Sequence, residues 1–441
     1  MRAGVGRIRA ESAEAGCQMD LSRIACRTVF SLTILLAVRA WGDDEVNTAE
    51  PPPPGPPAET TLEDVIAMAE STSPVLAKAA ADVEAARGKS VQVRLYPNPV
   101  VQGGATQFAG NESQYYVGLS QEIVTKHKLQ LNQAAANREV YQAELMFIRN
   151  RFALLTATRQ SFYVALANQA RVEMLNRMLE VTKKSATAAE QMKLAGETSQ
   201  ADLLLFEIEL EKADVALENA HALSVAARRQ LAAVIGLREM EFDRLGGSLR
   251  KSLTEIMSPI LVDGYVPYNA DVQIAEQEIE RSRLVLRRAE VEPFPNLTVF
   301  GGYQYQVSGL RDMALLNVAV PIPVWNRNQG NITTARAHIA RATADVGQVQ
   351  NTIAKQMAEM IGRYRAADQQ VRRFEERIIP KAREGVSIIQ KAFANGQFDA
   401  FRLLQSQRGL VDSNLGYISA LETRWLAAAE LAGLAQLDAF P

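Results

Sequence analysis

With 441 residues, 47% hydrophobic but only 6% aromatic, the chain has material for two or three domains and reads as Ala/Leu-rich helix, not an all-β body. A formal charge of −2 offers no basic surface, which excludes nucleic acid as a partner. The two cysteines, Cys17 and Cys26, both fall in the leader, so the rest of the chain is predicted to hold no disulfide, thiolate metal site or cysteine nucleophile.

The leader has the layout of a secretory signal: Arg23 and Arg27 precede the apolar run Thr28 to Val38, and Ala40-Trp41-Gly42 offers small residues before a cut at Asp43. Met19 is an alternative start. A membrane anchor is the competing reading, but the run is short for a span, and no cysteine follows it for lipid attachment. Loss of residues 1–42 removes six of 48 basic and three of 50 acidic residues, for a net charge of −5. No other stretch approaches 18 apolar residues, so a mature chain embedded in a membrane is embedded as strands. Residues 43–59, with PPPPGPP, read as an extended tether.

Residues 61 to 95 are predicted helical, with Thr60 or Thr61 as cap, Glu63 and Asp64 in the first turn, and a break near Ser73-Pro74. Tyr96-Pro97-Asn98-Pro99 stops that helix. Val100 to Phe108 and Gln114 to Gln121 read as strands around a turn at Ala109 to Glu112. Tyr115, Val117 and Leu119 alternate with Tyr116, Gly118 and Ser120, which suits a barrel wall and equally a half-buried soluble hairpin.

Lys126 to Ala195 then runs 70 residues without glycine or proline, about 105 Å as helix. Positions 141, 145, 148, 152, 155, 159, 162, 166 and 169 keep a 4-3 spacing with seven of nine apolar, a coiled-coil seam. A turn at Gly196 leads to a returning helix, ended by Gly236, with a seam from Leu203 and Phe206 to Leu231 and Val234. Two shorter helices end to end would match the long one beside them.

Residues 238–268 are predicted to be a connector packed against the helices at mid-height. The plan then repeats. Ser73-Pro74-Val75-Leu76 is answered by Asn269-Ala270-Asp271-Val272, Tyr96-Pro97-Asn98-Pro99 by Phe294-Pro295-Asn296-Leu297, and Val117-Gly118-Leu119 by Val318-Ala319-Val320. Gly196 with Leu203-Leu204 is answered by Gly396 with Leu403-Leu404. In the second copy Leu297 to Val307 alternates, Ser308 to Asp312 turns, and Ala314 to Val320 is the partner strand. A long helix from Gly330 to Asn395 carries a seam from Val346 to Phe374 and Ile378, with a bend expected at Pro380. Gln397 to Leu437 returns along Leu404, Val411, Ile418, Leu421 and Trp425.

The duplication, the two strand pairs, the four tunnel-length helices and the secretory leader together resemble the TolC family of outer-membrane efflux ducts. The resemblance spans Thr61 to Leu437. Val320 to Asn331 (VPIPVWNRNQGN), with Tyr96 to Pro99 and Leu119 to Ile123, is most similar to the CzcC-type branch that serves heavy-metal resistance pumps. It implies a mainly α fold with a small β part, divided into a signal (1–42), a tether (43–59), a first repeat (60–237, strand pair 99–122), an equatorial connector (238–268) and a second repeat (269–437, strand pair 296–322). The family's homotrimer would close twelve strands into a barrel in outer-membrane lipid, above a helical tunnel in the periplasm. Its partners are a periplasmic adaptor (membrane fusion) protein and an inner-membrane pump, here of RND type. No cofactor and no catalysis are implied. Multidrug or type I secretion is the alternative cargo, and a periplasmic coiled-coil structural protein the alternative class.

The same resemblance places the adaptor contact and aperture at the helix turns: Gly196, Glu197, Asp202 and Leu203 in the first copy, Gly396, Asp399, Arg402, Leu403 and Gln405 in the second. Ordinary helix C-caps explain the two glycines as well. Family members carry acidic residues six and nine positions after the second glycine. Here those positions are Arg402 and Gln405, answered by Asp202 and Leu205, so an Asp202–Arg402 contact is expected near the aperture. The barrel–tunnel junctions are expected at Pro97, Pro99 and Gln121, and at Pro295, Pro321, Pro323, Asn326 and Asn328. His127, His221 and His338 lack partners at metal-ligand spacing, and Met357 and Met360 read as seam packing, so no metal site is assigned.

Overall fold

The computed structural model describes residues 59–106, 112–196, 198–251, 264, 266–309, 311–395, 397–438 and 440. The leader, the tether up to residue 58, the turn 107–111, the connector between 252 and 263, and the tip residues Glu197 and Gly396 lie outside the described residues.

Helix α1 (Leu62–Thr72) starts in a capping box, with Thr61 and Asp64 each bonding the other's backbone N–H. Ser73 ends α1 and caps α2 (Pro74–Gln92), whose Pro74 occupies a first-turn position where a missing N–H costs nothing. Strands β1 (Val100–Thr106) and β2 (Gln114–Ile123) follow. Helix α3 (Lys128–Leu194) has 67 residues, about 100 Å at 1.5 Å per residue. It begins two residues later than expected because Lys126 and His127 have φ of 55° and 53°, a left-handed step that turns the strand into the helix axis. Helix α4 (Gln200–Val234) returns beside it.

The second copy comprises α5 (Ala270–Val291), β3 (Leu297–Gln306), β4 (Asp312–Ala319), α6 (Gln329–Arg373), α7 (Ile379–Ala394) and α8 (Ala400–Leu434). Asn328, at φ 61°, starts α6 as His127 starts α3. Asp312 belongs to β4, opposite Tyr305, and not to the turn. The long second helix is interrupted where Pro380 predicted a bend: Phe374–Ile378 forms one wide π turn between α6 and α7.

The shorter helices stack end to end as their lengths required. The Thr72 hydroxyl donates to the Ile235 carbonyl at 2.8 Å, joining α1 to the end of α4, and Gly236 turns the chain there with φ 88°. In the second copy the Asn269 amide donates to the Leu434 carbonyl at 2.9 Å, joining α5 to α8. Helix α3 packs on α2 and α5 near the strands and on α4 and α8 further down, while α6 packs on α5 and α8 and α7 on α8. The result is a wall four helices wide, with α2 and α4 at one edge and α6 and α7 at the other.

The seams of α4 and α8 match expectation, with Leu203, Phe206, Leu217, Leu231, Ile418, Leu421 and Trp425 all buried. That of α3 does not hold along its length: Phe152, Leu155, Phe162 and Leu166 are buried, yet Tyr141 and Ile148 are exposed. A helix that changes neighbours halfway presents different faces to each set, and one 4-3 stripe cannot describe both. In the second copy Met357, Met360, Tyr364 and Val371 are buried, while Ile378, in the π turn, is turned out.

The main core lies at mid-height. Trp425, fully buried, stacks on Tyr163 with centroids 4.1 Å apart, and its indole N–H donates to the Leu249 carbonyl at 2.8 Å. Phe242, Leu245 and Leu249 are buried there, and Thr60 pairs with Leu245 as a short parallel bridge. The buried Arg424 guanidinium donates to the carbonyls of Leu249 and Lys251 at 3.1 Å, pinning the connector to α8. Burial pushes the Tyr163 phenol up, and it pushes the Arg159 guanidinium, which donates to the carbonyls of Leu437 and Asp438, down.

Candidate functional site: an exit sheet, two junctions and a helical tip

The four strands form one antiparallel sheet in the order β1-β2-β3-β4, so the β2–β3 pair joins the two copies. Its alternation separates two faces. On one, Val101, Val117, Leu119, Leu316 and Val318 are exposed and apolar. On the other lie Gln102, Ser120, Thr298, Gln304 and Asn317, placed there by the pairing register. Tyr115, Tyr303 and Tyr305 stand at the turn end of the apolar face, and Tyr96, Phe294 and Trp325 lie near its helix end, all of them exposed. Aromatic residues at both limits of an apolar band are the pattern of a lipid-facing barrel wall. Ten residues of strand reach about 33 Å, and tilted by 35–45° that covers about 25 Å of hydrocarbon. Four strands cannot close on themselves, and β1 and β4 keep open edges. Among the described residues no helix is long and apolar enough to cross a membrane.

At the first junction the chain is held by polar contacts to the other copy's Pro-Asn loop. The Thr125 hydroxyl donates to the Pro295 carbonyl at 2.8 Å. The buried Lys128 ammonium donates to the Phe294 carbonyl at 2.6 Å and to the Asn296 side chain at 3.0 Å. Asn296 in turn donates to Glu122 at 2.7 Å. Gln121 donates to the Pro97 carbonyl at 2.9 Å, tying strand to preceding loop within the first copy. At the second junction Asn326 accepts from the Asn328 backbone at 3.0 Å, and the Asn328 amide donates to the Ala289 carbonyl at 2.8 Å. Pro295, Pro321, Pro323, Asn326 and Asn328 line one cavity of about 370 Å³ with Glu122 and Lys128. Pro99 stands apart from it as an exposed residue just before β1. Lys128 and Thr125 were not singled out from sequence. Lys128 sits in the basic run Lys126-His127-Lys128, where nothing marks one residue as buried.

At the opposite end the two helical hairpins meet. Leu203 and Phe206 of α4 pack with Ala400, Leu403 and Leu404 of α8, and the Phe206 and Phe393 rings lie 6.1 Å apart. Gly196 makes its reversal with φ 76°. Asp202 does not reach Arg402 within the chain. It accepts from the Ser199 hydroxyl at 2.7 Å in a capping box, while Asp399 caps the Arg402 backbone at 3.0 Å and the Arg402 guanidinium lies 4.8 Å from the Phe398 ring. A capping carboxylate is already committed to its own helix end. Gln405 is exposed, as is Phe401. Behind the tip, Arg408 of α8 forms a two-fold ion pair with Glu209 of α4.

An apolar-banded sheet joined through rigid turns to a wall of helices about 100 Å long is the fold of TolC-type efflux channels. Residues 268–435 match the outer membrane efflux protein family. The chain is a homologue of the cobalt-zinc-cadmium resistance protein CzcC of Cupriavidus metallidurans, at 24% identity over 370 residues, covering 83% of this chain and 88% of that protein. Its fold is similar to that of CusC, with a TM-score of 0.76 at 16% identity over 86% of this chain and 92% of CusC. It is also similar to the open-state MtrE outer membrane channel of Neisseria gonorrhoeae, with a TM-score of 0.73 at 17% identity over 85% of this chain and 88% of that one. The chain is an efflux channel and not an enzyme.

Proposed function

We propose that three copies of this chain close into a passive duct that carries heavy-metal cations from the periplasm to the exterior. Residues 1–42 direct secretion, residues 60–237 and 269–437 are the two duct repeats, and the connector girdles the tunnel at mid-height. The barrel lies in the outer membrane, the helices cross the periplasm, and the tips from Gly196 to Leu203 and Gly396 to Gln405 meet a periplasmic adaptor coupled to an RND-type inner-membrane pump. Channels of this family work in such tripartite systems.

The observation that carries the ring is the pair of open edges. Among the described residues strands β1 and β4 have no partner on their outer sides, and exposed apolar residues continue along both edges: Val91, Leu204, Ile208 and Val215 on one, Val320, Ile322 and Val324 on the other. A neighbouring copy covers both edges at once and removes them. The cargo rests on the relationship to CzcC, a cobalt-zinc-cadmium resistance protein. Deleting the gene and measuring sensitivity to zinc, cobalt, cadmium, copper and several dyes tests it. Loss of tolerance to one or more of the metals is expected. Unchanged metal tolerance with new dye sensitivity would reassign the duct to drug efflux.

A further inference from the structure

Two aromatic side chains stand on the polar face of the sheet. By the pairing register Tyr116 and Phe300 share it with Gln102, Ser120, Gln304 and Asn317, and with Met313 and Leu315 of β4, Leu315 standing opposite Gly302. Both rings lie down along the wall. Tyr116 sits opposite Gly104, and a Cβ built on Gly104 would stand 2.8 Å from the Tyr116 ring and hydroxyl. Gly118 faces Gly302 across β2–β3, and a Cβ on either would first meet the paired strand's backbone, at 2.5 or 2.6 Å, and then the tip of Phe300, at 2.7 or 3.0 Å. The two rings meet edge to face, centroids 6.2 Å apart and planes at 84°. Glycine in a strand interior weakens it and marks a close approach. Here three glycines on one face together seat two rings.

The arrangement belongs to one seam of the repeat. Gly301-Gly302 is answered one copy earlier by Gly103-Gly104, but Phe300 is answered by Gln102. The β2–β3 seam therefore carries aromatic side chains where the corresponding position on β1 carries an amide.

We propose that Tyr116 and Phe300 form an aromatic collar that sets the free bore of the exit barrel, and that Gly104, Gly118 and Gly302 keep the rings folded out of it. The collar rests on the ring assembly proposed above, in which three such pairs face one lumen. Its members are size-determining residues for whatever passes the exit, independent of the aperture at the far tip.

The test uses the purified full-length channel in planar bilayers, with polyethylene glycols of increasing size added on the barrel side only. The largest polymer that enters and lowers the conductance reports the exit bore, whatever the state of the tip. F300A is expected to raise that size limit, and F300L reads the same quantity should the alanine variant fail to insert. G104V meets the Tyr116 ring first, so it is expected to push the ring inward and lower the limit, and adding Y116A to it should reverse the change. An unchanged limit in both F300A and G104V, with a heat-dissociable trimer still visible on unheated gels, would overturn the collar and leave the duct intact. Absence of that trimer in the wild-type chain would overturn the ring assembly and the collar together.

Discussion

The two long helices descend from one repeated plan and meet different mechanical conditions. Helix α3 runs 67 residues unbroken, while its counterpart is divided into α6 and α7 by the wide turn at Phe374–Ile378. The cause is local. Pro380 has no N–H for the Glu376 carbonyl, and its ring crowds the preceding turn, which the chain relieves by widening. Phe374 then packs into the space beside Gly416, where a Cβ would stand 2.9 Å from its ring. Within one chain α3 has neighbours on both sides, α2 and α4 against α5 and α8, whereas α6 and α7 have theirs on one side and would meet the next copy only once the ring has closed. A helix packed on both flanks is held straight by its neighbours. One at an edge can accept a defect, and this chain places its defect there.

If mid-height packing is what keeps α3 rigid, Trp425→Ala should have the largest effect. The side chain is fully buried, stacks on Tyr163 of α3 and bonds the connector at Leu249. Its loss should cost about 3–5 kcal/mol, read as a lower thermal dissociation and unfolding temperature of the detergent-solubilised channel. A change within about 0.5 kcal/mol, the range of surface substitutions, would show that α3 does not depend on α8 for its rigidity.

Much of this contrast was legible in the sequence. Helix lengths could be read because glycine and proline are absent from long runs, and the duplication because four landmarks recur in order. The capping box at Thr61 is local chemistry, as is the break at Ser73. What depends on distant contacts was not legible. The positive φ of Lys126 and His127 carries no residue signature, since only glycine or asparagine advertises that conformation, as Asn328 does. Lys128 becomes a clamp only because the carbonyl of Phe294, 166 residues away, arrives beside it. The exposed Tyr141 and Ile148 follow from α3 exchanging neighbours, and the expected Asp202–Arg402 contact is not made within the chain because Ser199 already engages Asp202.

The second test acts on the defect itself. Pro380→Ala restores a backbone donor and removes the crowding, so α6 and α7 should approach one continuous helix like α3. The expected gain is about 1–3 kcal/mol in the α7–α8 hairpin, read as slower amide hydrogen exchange across residues 374–384. Exchange as fast as in the parent would mean that the fit of Phe374 against Gly416, and not the proline, holds the turn open.

The smallest expected effect separates the copies by charge. Between α3 and α5, Gln142 donates to Glu278 at 3.0 Å and Arg138 donates to Gln277 at 3.0 Å, while Arg281, one turn along α5, donates to the Glu278 carboxylate at 2.7 Å. The positions on α6 that answer Arg138, Glu139 and Gln142 are Ile339, Ala340 and Thr343, so the equivalent face of the second copy has no ionisable group at them. Hydrogen bonds from Arg281, with Gln142 adding to them, hold Glu278 below its ordinary carboxylate value despite its partial burial. A depressed folded-state value contributes stability that is present above the ordinary one and lost as pH falls through the depressed one. Glu278→Gln should therefore lower the melting temperature slightly at pH 6 and flatten its decline from about pH 5 downward. Parallel pH profiles for parent and variant would show that the ionic contacts between α3 and α5 add no sensitivity to acid.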